Sequence, residues 1–258
     1  MPTDSEIRAV FPHLDFSLEG PSLINPVREP GEAPVTPRVI LAFTRPDYHN
    51  LCRLAHSTGP PRYLWDCAIH EGSWEGKSVT VAGPVLGAPY AVMVLERLIA
   101  LGAKVVLALG WCGSLQKDIK VGSLVVPTGA VKGDGTSRHY LPGHLQPAPH
   151  SGLCRLLQNH LQATEIPRHS GLIWTTDAFY RETAEQVRHY QAQGVLGVDL
   201  ELAALFAVGQ YRQVAVAGLL VVSDELASLT WRPGFRSPAF RQARREPGQC
   251  WPQWPRRR

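Results

Sequence analysis

The sequence predicts an α/β protein, a three-layer α/β/α sandwich around a central mixed, mostly parallel sheet. Two observations support this fold class. Short apolar runs typical of strands alternate along the chain with stretches that have helical spacing, and a run such as 105–109 is apolar throughout, as in strands covered on both faces. The 258 residues are 44% apolar, which is enough for one sizeable core.

The first half of the chain predicts an arm followed by three strands. Six prolines between positions 12 and 37 prevent a long helix in residues 1–38. After the arm, apolar runs predict strands, and the turn and amphipathic residues between them predict helices. The predicted strands are 39–43, 79–82 and 105–109, and the predicted helices begin near residue 45 and run through 92–99.

The second half continues the alternation. Four leucines at helical spacing predict a helix over 150–163. Thr183 and Gln186 have the T-x-x-Q form of a capping box, which predicts a helix to about residue 193. The predicted strands are 121–131, 172–175 and 215–222, and residues 133–140 are predicted to be a polar loop.

Composition excludes several classes of protein. No apolar run reaches the ~20 residues that span a bilayer, and residues 1–20 lack the pattern of a signal peptide, so we expect a cytoplasmic protein with no membrane partner. The five cysteines are odd in number and form no C-x-x-C pair, and the ten histidines show no metal-ligand spacing. We therefore expect free thiols and no metal.

The net charge of +4 is unevenly distributed along the chain. Residues 232–258 contain eight arginines and a single acid, Glu246, whereas the rest of the chain is mildly acidic. A basic end can attract nucleic acid, but a solvated, frayed terminus is the commoner role of such a segment. We predict a disordered tail over 246–258 and no nucleic-acid partner.

Two carboxylates lie where a predicted strand runs into an apolar helix. Asp199 and Glu201 have apolar residues on both sides, and carboxylates are seldom buried without a partner. Both acids therefore need polar partners, and a ligand rich in hydroxyl groups is one candidate.

Gly110 and Gly113 follow another predicted strand. Glycines there allow a ligand close to the backbone at the carboxyl ends of strands, where ligands of α/β sheets bind, although such loops are often only turns.

Six segments follow one another in a fixed order: LGWCG at 109–113, VGSLVVP at 121–127, GTSRHY at 135–140, TDAFY at 176–180, VDLE at 198–201 and VSD at 222–224. In this order they resemble the purine nucleoside phosphorylase/uridine phosphorylase family of nucleoside-cleaving enzymes. The resemblance covers roughly residues 39–225. It implies a nucleoside phosphorylase-like domain over 39–245, between the arm 1–38 and the tail, and a homo-oligomer that is a dimer, trimer or hexamer.

The resemblance also implies roles for individual residues. Glu201 would accept hydrogen bonds from the ribose 2′- and 3′-hydroxyls, beside Leu200 and Asp199, and His13 of a neighbouring subunit would close the sugar pocket. The residues implied along the base are Phe179, Cys112, Gly113, Val198, Ser223 and Asp224.

Asp224 is the implied general acid. A proton donor near N7 of a purine lowers the barrier because negative charge develops on the leaving base. A carboxyl group donates near neutral pH only if its pKa is raised. Arg236, or less favourably Arg232, is predicted to hold Asp224 in position, and the alternative is that Asp224 only caps a turn.

The base and the nucleophile are less well defined by the sequence. Uridine-cleaving members of the family have a Gln and an Arg where this chain has Thr183 and Glu185, which favours a purine-like base. The residues that usually contact phosphate are replaced here at Thr44, Tyr48, Ala108 and Trp111. The remaining phosphate-binding candidates are Gly110, Trp111, Arg45 and Arg138.

We therefore predict phosphorolysis of a purine-like nucleoside, with inorganic phosphate as co-substrate and no cofactor. Two alternatives remain open. In the first, water replaces phosphate as the nucleophile, and Asp47 is the nearest carboxylate for its activation. In the second, the protein binds a nucleoside without cleaving it.

Overall fold

The fold is described by a computed structural model that covers residues 21–162 and 165–245. Within these residues, strands and α-helices alternate along most of the chain. The strands are β1 (Arg38–Ala42), β2 (Arg62–Leu64), β3 (Cys67–Trp74), β4 (Lys77–Gly83), β5 (Val105–Ser114), β6 (Leu124–Gly133), β7 (Arg168–Thr176), β8 (Gly197–Asp199), β9 (Ala215–Glu225) and β10 (Arg232–Pro233). The helices are α1 (Arg45–Leu54), α2 (Ala88–Ala100), α3 (Ser151–Leu161), α4 (Ala184–Ala192), α5 (Leu202–Arg212) and α6 (Pro238–Arg245).

The strands form one mixed sheet, part of which closes on itself. β5 pairs in parallel with β1 on one side and with β9 on the other. From β9 the pairing continues through β6, β7 and β8, and β8 returns to β5. These five strands therefore make a closed ring, from which β1, β4, β3 and β2 extend as an open sheet.

Helices cover both faces of the open sheet. Side chains alternate along β1, so its residues pack against helices on both sides. Val39 and Leu41 join an apolar cluster that contains residues of α2 and α5. Ile40 and Ala42 join a second cluster that contains residues of α1, α3 and α6. The predicted α/β class with a mixed sheet is confirmed. Parallel pairs lie at the centre of the sheet, whereas antiparallel pairs lie at its edges and close the ring.

Several element boundaries differ from the sequence-based expectations. β5 does not end at residue 109 but continues through the glycine-containing segment to Ser114, and β9 continues past Val222 to Glu225. These extensions are stabilised by their pairing with each other, which a local pattern does not reveal. β2, β10 and α6 are short and β3 mixes polar and apolar residues, and none of these four elements was predicted.

Two predictions concern the two ends of the chain, the arm and the tail. The arm is described from residue 21 onward, and residues 21–37 contain neither helix nor strand, whereas the predicted tail over 246–258 lies outside the described residues. Among the helices of 21–162 and 165–245, none is long and apolar enough to cross a membrane.

The predicted capping box of α4 is present and provides a test of local stability. The Thr183 hydroxyl accepts a hydrogen bond from the Gln186 backbone N–H at 3.3 Å, and the Gln186 side chain accepts one from the Thr183 N–H at 3.0 Å. We expect Thr183→Ala to lower the free energy of unfolding by about 1 kcal/mol, because it removes the acceptor at the helix start. Urea denaturation measures the change, and Thr183→Ser, which keeps the hydroxyl, should retain most of the stability.

Candidate active site

The candidate site is a cleft at the carboxyl ends of β5, β8 and β9. Its empty volume, including the mouth that opens to solvent, is about 580 Å³, within the usual range of small-molecule sites. The turn Phe179–Arg181 after β7 and residues before α1 and α2 complete the wall. The cleft is lined by Phe43, Thr44, Leu86, Trp111, Cys112, Gly113, Phe179, Glu182, Val198, Asp199, Leu200, Glu201, Ser223, Asp224 and Phe235.

A β-bulge directs Asp224 into the cleft. Cys112 on β5 is opposite Val222 on β9, but the next residue, Gly113, is opposite Asp224, so Ser223 is an extra residue in β9. Bulges re-aim side chains next to functional sites. A Cβ atom on Gly113 would lie 3.0 Å from the Asp224 carboxylate, so glycine allows the acid to approach the neighbouring strand closely.

The Asp224 carboxyl group is buried and held by two neutral donors. One oxygen accepts a hydrogen bond from the Ser223 hydroxyl at 2.6 Å, and the other accepts one from the Trp231 indole N–H at 2.9 Å. Burial raises the pKa of Asp224, and these two hydrogen bonds partly oppose the rise. The prediction that Arg236 or Arg232 holds Asp224 is wrong, because the indole of Trp231 has that position.

Asp199 is bound at the start of helix α5. One oxygen accepts a hydrogen bond from the Thr175 hydroxyl at 2.5 Å, and the other accepts from the backbone N–H groups of Leu202 at 2.8 Å and Glu201 at 3.3 Å. These contacts satisfy donors that every helix leaves free at its N-terminus. Burial raises the pKa of Asp199 to about 6 even though its hydrogen bonds lower it. Asp199 lines the cleft, but both of its oxygens already accept hydrogen bonds from these protein donors.

Glu201 is also buried, but its carboxyl group accepts fewer hydrogen bonds from the described residues than that of Asp199. Its Oε1 accepts a hydrogen bond from the Gly87 N–H at 2.8 Å, and Oε2 has a longer bond from the Leu200 N–H at 3.3 Å. Gly87 has φ +84°, a left-handed conformation that glycine adopts without strain. Burial and then the charge of Asp199 raise the pKa of Glu201 to about 8. Each oxygen has a single backbone donor, so the carboxyl group keeps lone pairs that can accept hydrogen bonds from a ligand.

An aromatic wall closes the other side of the cleft. The Phe179 ring is half-buried and meets the Trp231 ring edge to face, with 6.2 Å between ring centroids. Glu182 follows three residues later and lines the same cleft. Burial and the charge of Asp224 raise the pKa of Glu182 to about 8. Across the cleft, burial and the charges of Asp224 and Asp199 raise the pKa of the Cys112 thiol well above its usual value.

Most of the predicted sugar and base residues meet in this one cleft. The structure brings together Glu201, Leu200, Asp199, Phe179, Cys112, Gly113, Val198, Ser223, Asp224 and Trp111. Two features of the site were not predicted from the sequence. The position of Glu182 depends on the turn that precedes it, and the Trp231 contact to Asp224 comes from the far end of a loop. His13 lies outside the described residues.

The predicted phosphate-binding residues do not meet. Arg45 and Arg138 are exposed and are not part of the cleft lining. Gly110 is not part of it either, because the Phe43 ring packs against it, and a Cβ atom there would lie 2.1 Å from that ring. No Lys, Arg or His of the described ranges lines the cleft.

A buried ion pair lies behind Trp111, which lines the cleft. Asp47 accepts hydrogen bonds from the Trp111 indole N–H at 2.6 Å, from the Thr44 hydroxyl at 2.8 Å and from the Arg244 guanidinium at 2.7 Å. The guanidinium carbon of Arg244 lies 4.9 Å from the Trp111 ring centroid. These contacts occupy both Asp47 oxygens, so the expectation that Asp47 activates water is not supported by its position.

Comparison with known proteins identifies similar sequences. The sequence profile of the phosphorylase superfamily matches residues 37–244. The chain is 30% identical over 160 residues to a guanosine phosphorylase of Halorubrum lacusprofundi and 32% identical over 158 residues to a DeoD-type purine nucleoside phosphorylase of Bacillus cereus. These alignments cover 62% and 60% of this chain and 66% and 67% of the relatives, so the chain matches about two thirds of their length.

Solved structures share the fold. A uridine phosphorylase of Vibrio fischeri superimposes with a TM-score of 0.73 at 24% identity, over 84% of this chain and 92% of that protein. A purine nucleoside phosphorylase of Toxoplasma gondii in complex with immucillin-H superimposes with a TM-score of 0.77 at 21% identity, over 84% and 88%. At these identities the likeness concerns the fold alone.

The ion pair behind Trp111 predicts a large loss of stability when one partner is removed. We expect Arg244→Met to lower the free energy of unfolding by about 3–5 kcal/mol, because Asp47 is then left buried without its charged partner. Arg245→Met is the matched control, since Arg245 is exposed on the same helix. Chemical denaturation measures both variants. Equal, small effects would contradict the assigned importance of the pair, and adding Asp47→Asn to Arg244→Met should recover part of the loss.

Proposed function

This chain belongs to the phosphorylase superfamily, and from that premise we propose that residues 39–245 form a domain that cleaves the N-glycosidic bond of a purine nucleoside by phosphorolysis. The products are the free base and a sugar 1-phosphate. The observation that carries this proposal is the convergence of Glu201, Asp224 and Phe179 on one cleft. Together they offer an acceptor for hydroxyl groups, a proton donor and an aromatic face.

The sugar subsite is assigned to the end of β8. Glu201 accepts hydrogen bonds from the ribose 2′- and 3′-hydroxyls, and Leu200 packs against the sugar. The proposal is supported by the Gly87 N–H, which holds one oxygen of Glu201 at 2.8 Å and so fixes the side chain. Asp199 acts through Glu201, because it orders the start of α5 and adds negative charge beside it. Asp199 is therefore proposed as a positioning residue.

Asp224 is assigned as the general acid. Bond cleavage leaves negative charge on the base, and a carboxyl group whose pKa is raised by burial can donate a proton to it. The hydrogen bonds from Ser223 and Trp231 fix both oxygens of Asp224 without an opposing positive charge. A cationic partner would stabilise the carboxylate and lower the pKa. The neutral partners therefore support the role of an acid.

The base subsite is assigned to the space between the aromatic wall and β5. Phe179 stacks on the base, and Cys112, Gly113 and Val198 lie along its other side. These residues are apolar or small, as suits the faces of an aromatic base. A purine-like ring system placed against them has its polar edge towards Asp224.

Phosphate is assigned to the part of the cleft beside Thr44 and Trp111. No cationic side chain of the described residues lines it, so the donors proposed there are the Thr44 hydroxyl and backbone N–H groups. Arg244 is a positively charged residue behind this part of the cleft, where it stacks on Trp111 and pairs with Asp47. We propose Arg45 and Arg138 only as residues that a neighbouring subunit would contribute. The homo-oligomer and the role of His13 are proposals of the same kind.

Hydrolysis is the second candidate reaction. One observation favours it, namely that four carboxyl groups and no basic side chain line the cleft in the described residues. Such a lining disfavours an anionic nucleophile and tolerates water. Binding without cleavage is the third outcome.

The nucleophile is tested by incubating the purified protein with adenosine, guanosine, inosine and uridine, with and without phosphate. We expect base release from a purine nucleoside, a rate that saturates with phosphate, and one equivalent of ribose 1-phosphate for each base. Chromatography of the base and the sugar product provides both readouts. Free ribose formed at the same rate without phosphate would identify a hydrolase, and no base release from any nucleoside would contradict the enzymatic proposal.

The sugar assignment predicts a loss that depends on the sugar hydroxyls. We expect Glu201→Gln to lower kcat/KM for a ribonucleoside roughly 10- to 100-fold, because a neutral amide replaces a charged acceptor. The matched control is a 2′,3′-dideoxynucleoside, which lacks both hydroxyls and should lose much less on the same substitution. If kcat/KM falls equally for both substrates, Glu201 does not bind the sugar.

A further inference from the structure

Glu182 is a half-buried acid to which the proposed reaction gives no role. It lies on the connection between the turn Phe179–Arg181 and helix α4, and it lines the cleft together with Phe179 and Asp224. Among the described residues, no donor hydrogen-bonds to its carboxyl group. The carboxyl group therefore has free acceptor positions towards the cleft, which a bound ligand can occupy.

We propose that Glu182 reads the base by accepting a hydrogen bond from an N–H group of its six-membered ring, so that the substrates are purine nucleosides that carry such a donor. This inference rests on the proposed cleavage of a purine nucleoside and extends it to the choice of base. Phe179 and Glu182 are three residues apart on one turn, so the residue that stacks on the base and the residue that reads its edge are positioned together.

The neighbours of Glu182 define what its edge of the cleft can recognise. The titratable groups that line the cleft with it are Asp224 on β9, Asp199 and Glu201 at the end of β8, and Cys112 on β5. Two nearby carboxyl groups do not readily ionise together, and burial and the charge of Asp224 raise the pKa of Glu182 to about 8. Near neutral pH the Glu182 and Asp224 pair therefore offers both a proton and an acceptor.

That combination matches the edge of a purine that bears an N–H group. In adenine the ring nitrogen N7 accepts a hydrogen bond while the neighbouring 6-amino group donates one. Guanine instead offers donors at N1 and at its 2-amino group. In the empty cleft the proton of the pair lies on Glu182, because the charge of Asp224 raises its pKa. An N–H group that donates to Glu182 favours the ionised form of this residue. The proton then lies on Asp224, which donates it to the ring nitrogen. Unsubstituted purine has no N–H donor on its six-membered ring and leaves Glu182 unpaired.

The test compares purine riboside with adenosine and guanosine at pH 6.5. We expect wild-type kcat/KM for at least one of the two N–H-bearing nucleosides to exceed that for purine riboside by about 10- to 100-fold. Glu182→Leu should reduce this ratio to within about threefold of one. The control Glu185→Leu should not change it, because Glu185 is exposed in the first turn of α4. An unchanged ratio in Glu182→Leu would overturn the inference.

A second variant gives a readout that a merely structural role would not change. Glu182→Gln keeps the size of the side chain but removes the second carboxyl group, so Asp224 loses its proton at lower pH. The fall of kcat/KM at alkaline pH, expected near pH 8 in the wild type, should move to lower pH in Glu182→Gln. An unmoved alkaline limb would contradict the pairing of the two acids.

Failure of the proposed reaction can be distinguished from failure of this inference. If the wild type cleaves none of the three nucleosides, the reaction proposal fails, and calorimetry with free adenine, guanine and purine tests Glu182 by itself. We expect adenine or guanine to bind at least about 10-fold more tightly than purine, and Glu182→Leu to remove the difference. Equal binding of the three bases to the wild type would overturn the inference, as would a difference that persists in the variant.

Discussion

The dominant constraint in this protein is that three buried acids and one half-buried acid surround one cleft, without a cationic side chain in its described lining. Each acid meets this constraint differently. Asp199 is bound by the N-terminus of α5 and by Thr175, whereas Asp224 is bound by a hydroxyl and an indole. Glu201 has a firm bond from Gly87, and Glu182 has no bond from the described residues. Asp199 therefore has three internal donors, Asp224 and Glu201 have two each, and Glu182 has none among the described residues, so Glu182 keeps the most acceptor positions for a ligand.

The ring of five strands explains how these acids come to one place. β8 is only three residues long, yet it pairs with β5 and β7, and so it brings Asp199 and the start of α5 to the bulge that contains Ser223. Where β5 and β8 meet, Gly113 is opposite Val198 and Gly197 is opposite Ser114. A Cβ atom on Gly197 would lie 2.7 Å from the Gly113 carbonyl oxygen. Small residues at this crossing therefore allow the ring to close directly beneath the cleft.

The sequence predicted the parts of the fold that depend on local patterns. The mixed sheet, most strand positions and the capping box at Thr183 follow from apolar periodicity and turn chemistry, and they were predicted. The ring closure, the extension of β5 and the Trp231 contact were not, because each depends on residues far apart in the chain. Asp199 and Glu201 were recognisable because they interrupt an apolar run, and Asp224 was recognisable from the resemblance to the family. Glu182 lies in a polar stretch, where one more acid does not stand out. Arg45 and Arg138 are exposed and outside the cleft lining, because the position of a long side chain in a turn or loop does not determine its direction.

The raised pKa values also bear on how an anion enters a cleft lined by acids. If all four carboxyl groups were ionised, phosphate would meet strong repulsion in a partly buried site. Burial raises the pKa of Glu182 and of Glu201 to about 8, so near neutral pH these two groups are largely protonated in the empty cleft. A protonated carboxyl group donates a hydrogen bond instead of repelling an anion.

Ribose hydroxyls that donate to Glu201 favour its ionised form, so nucleoside binding and phosphate binding oppose each other through the charge of this residue. The buried pair of Asp47 and Arg244 beside Trp111 adds no net charge, and the protonation of the acids therefore decides whether the cleft accepts an anionic nucleophile.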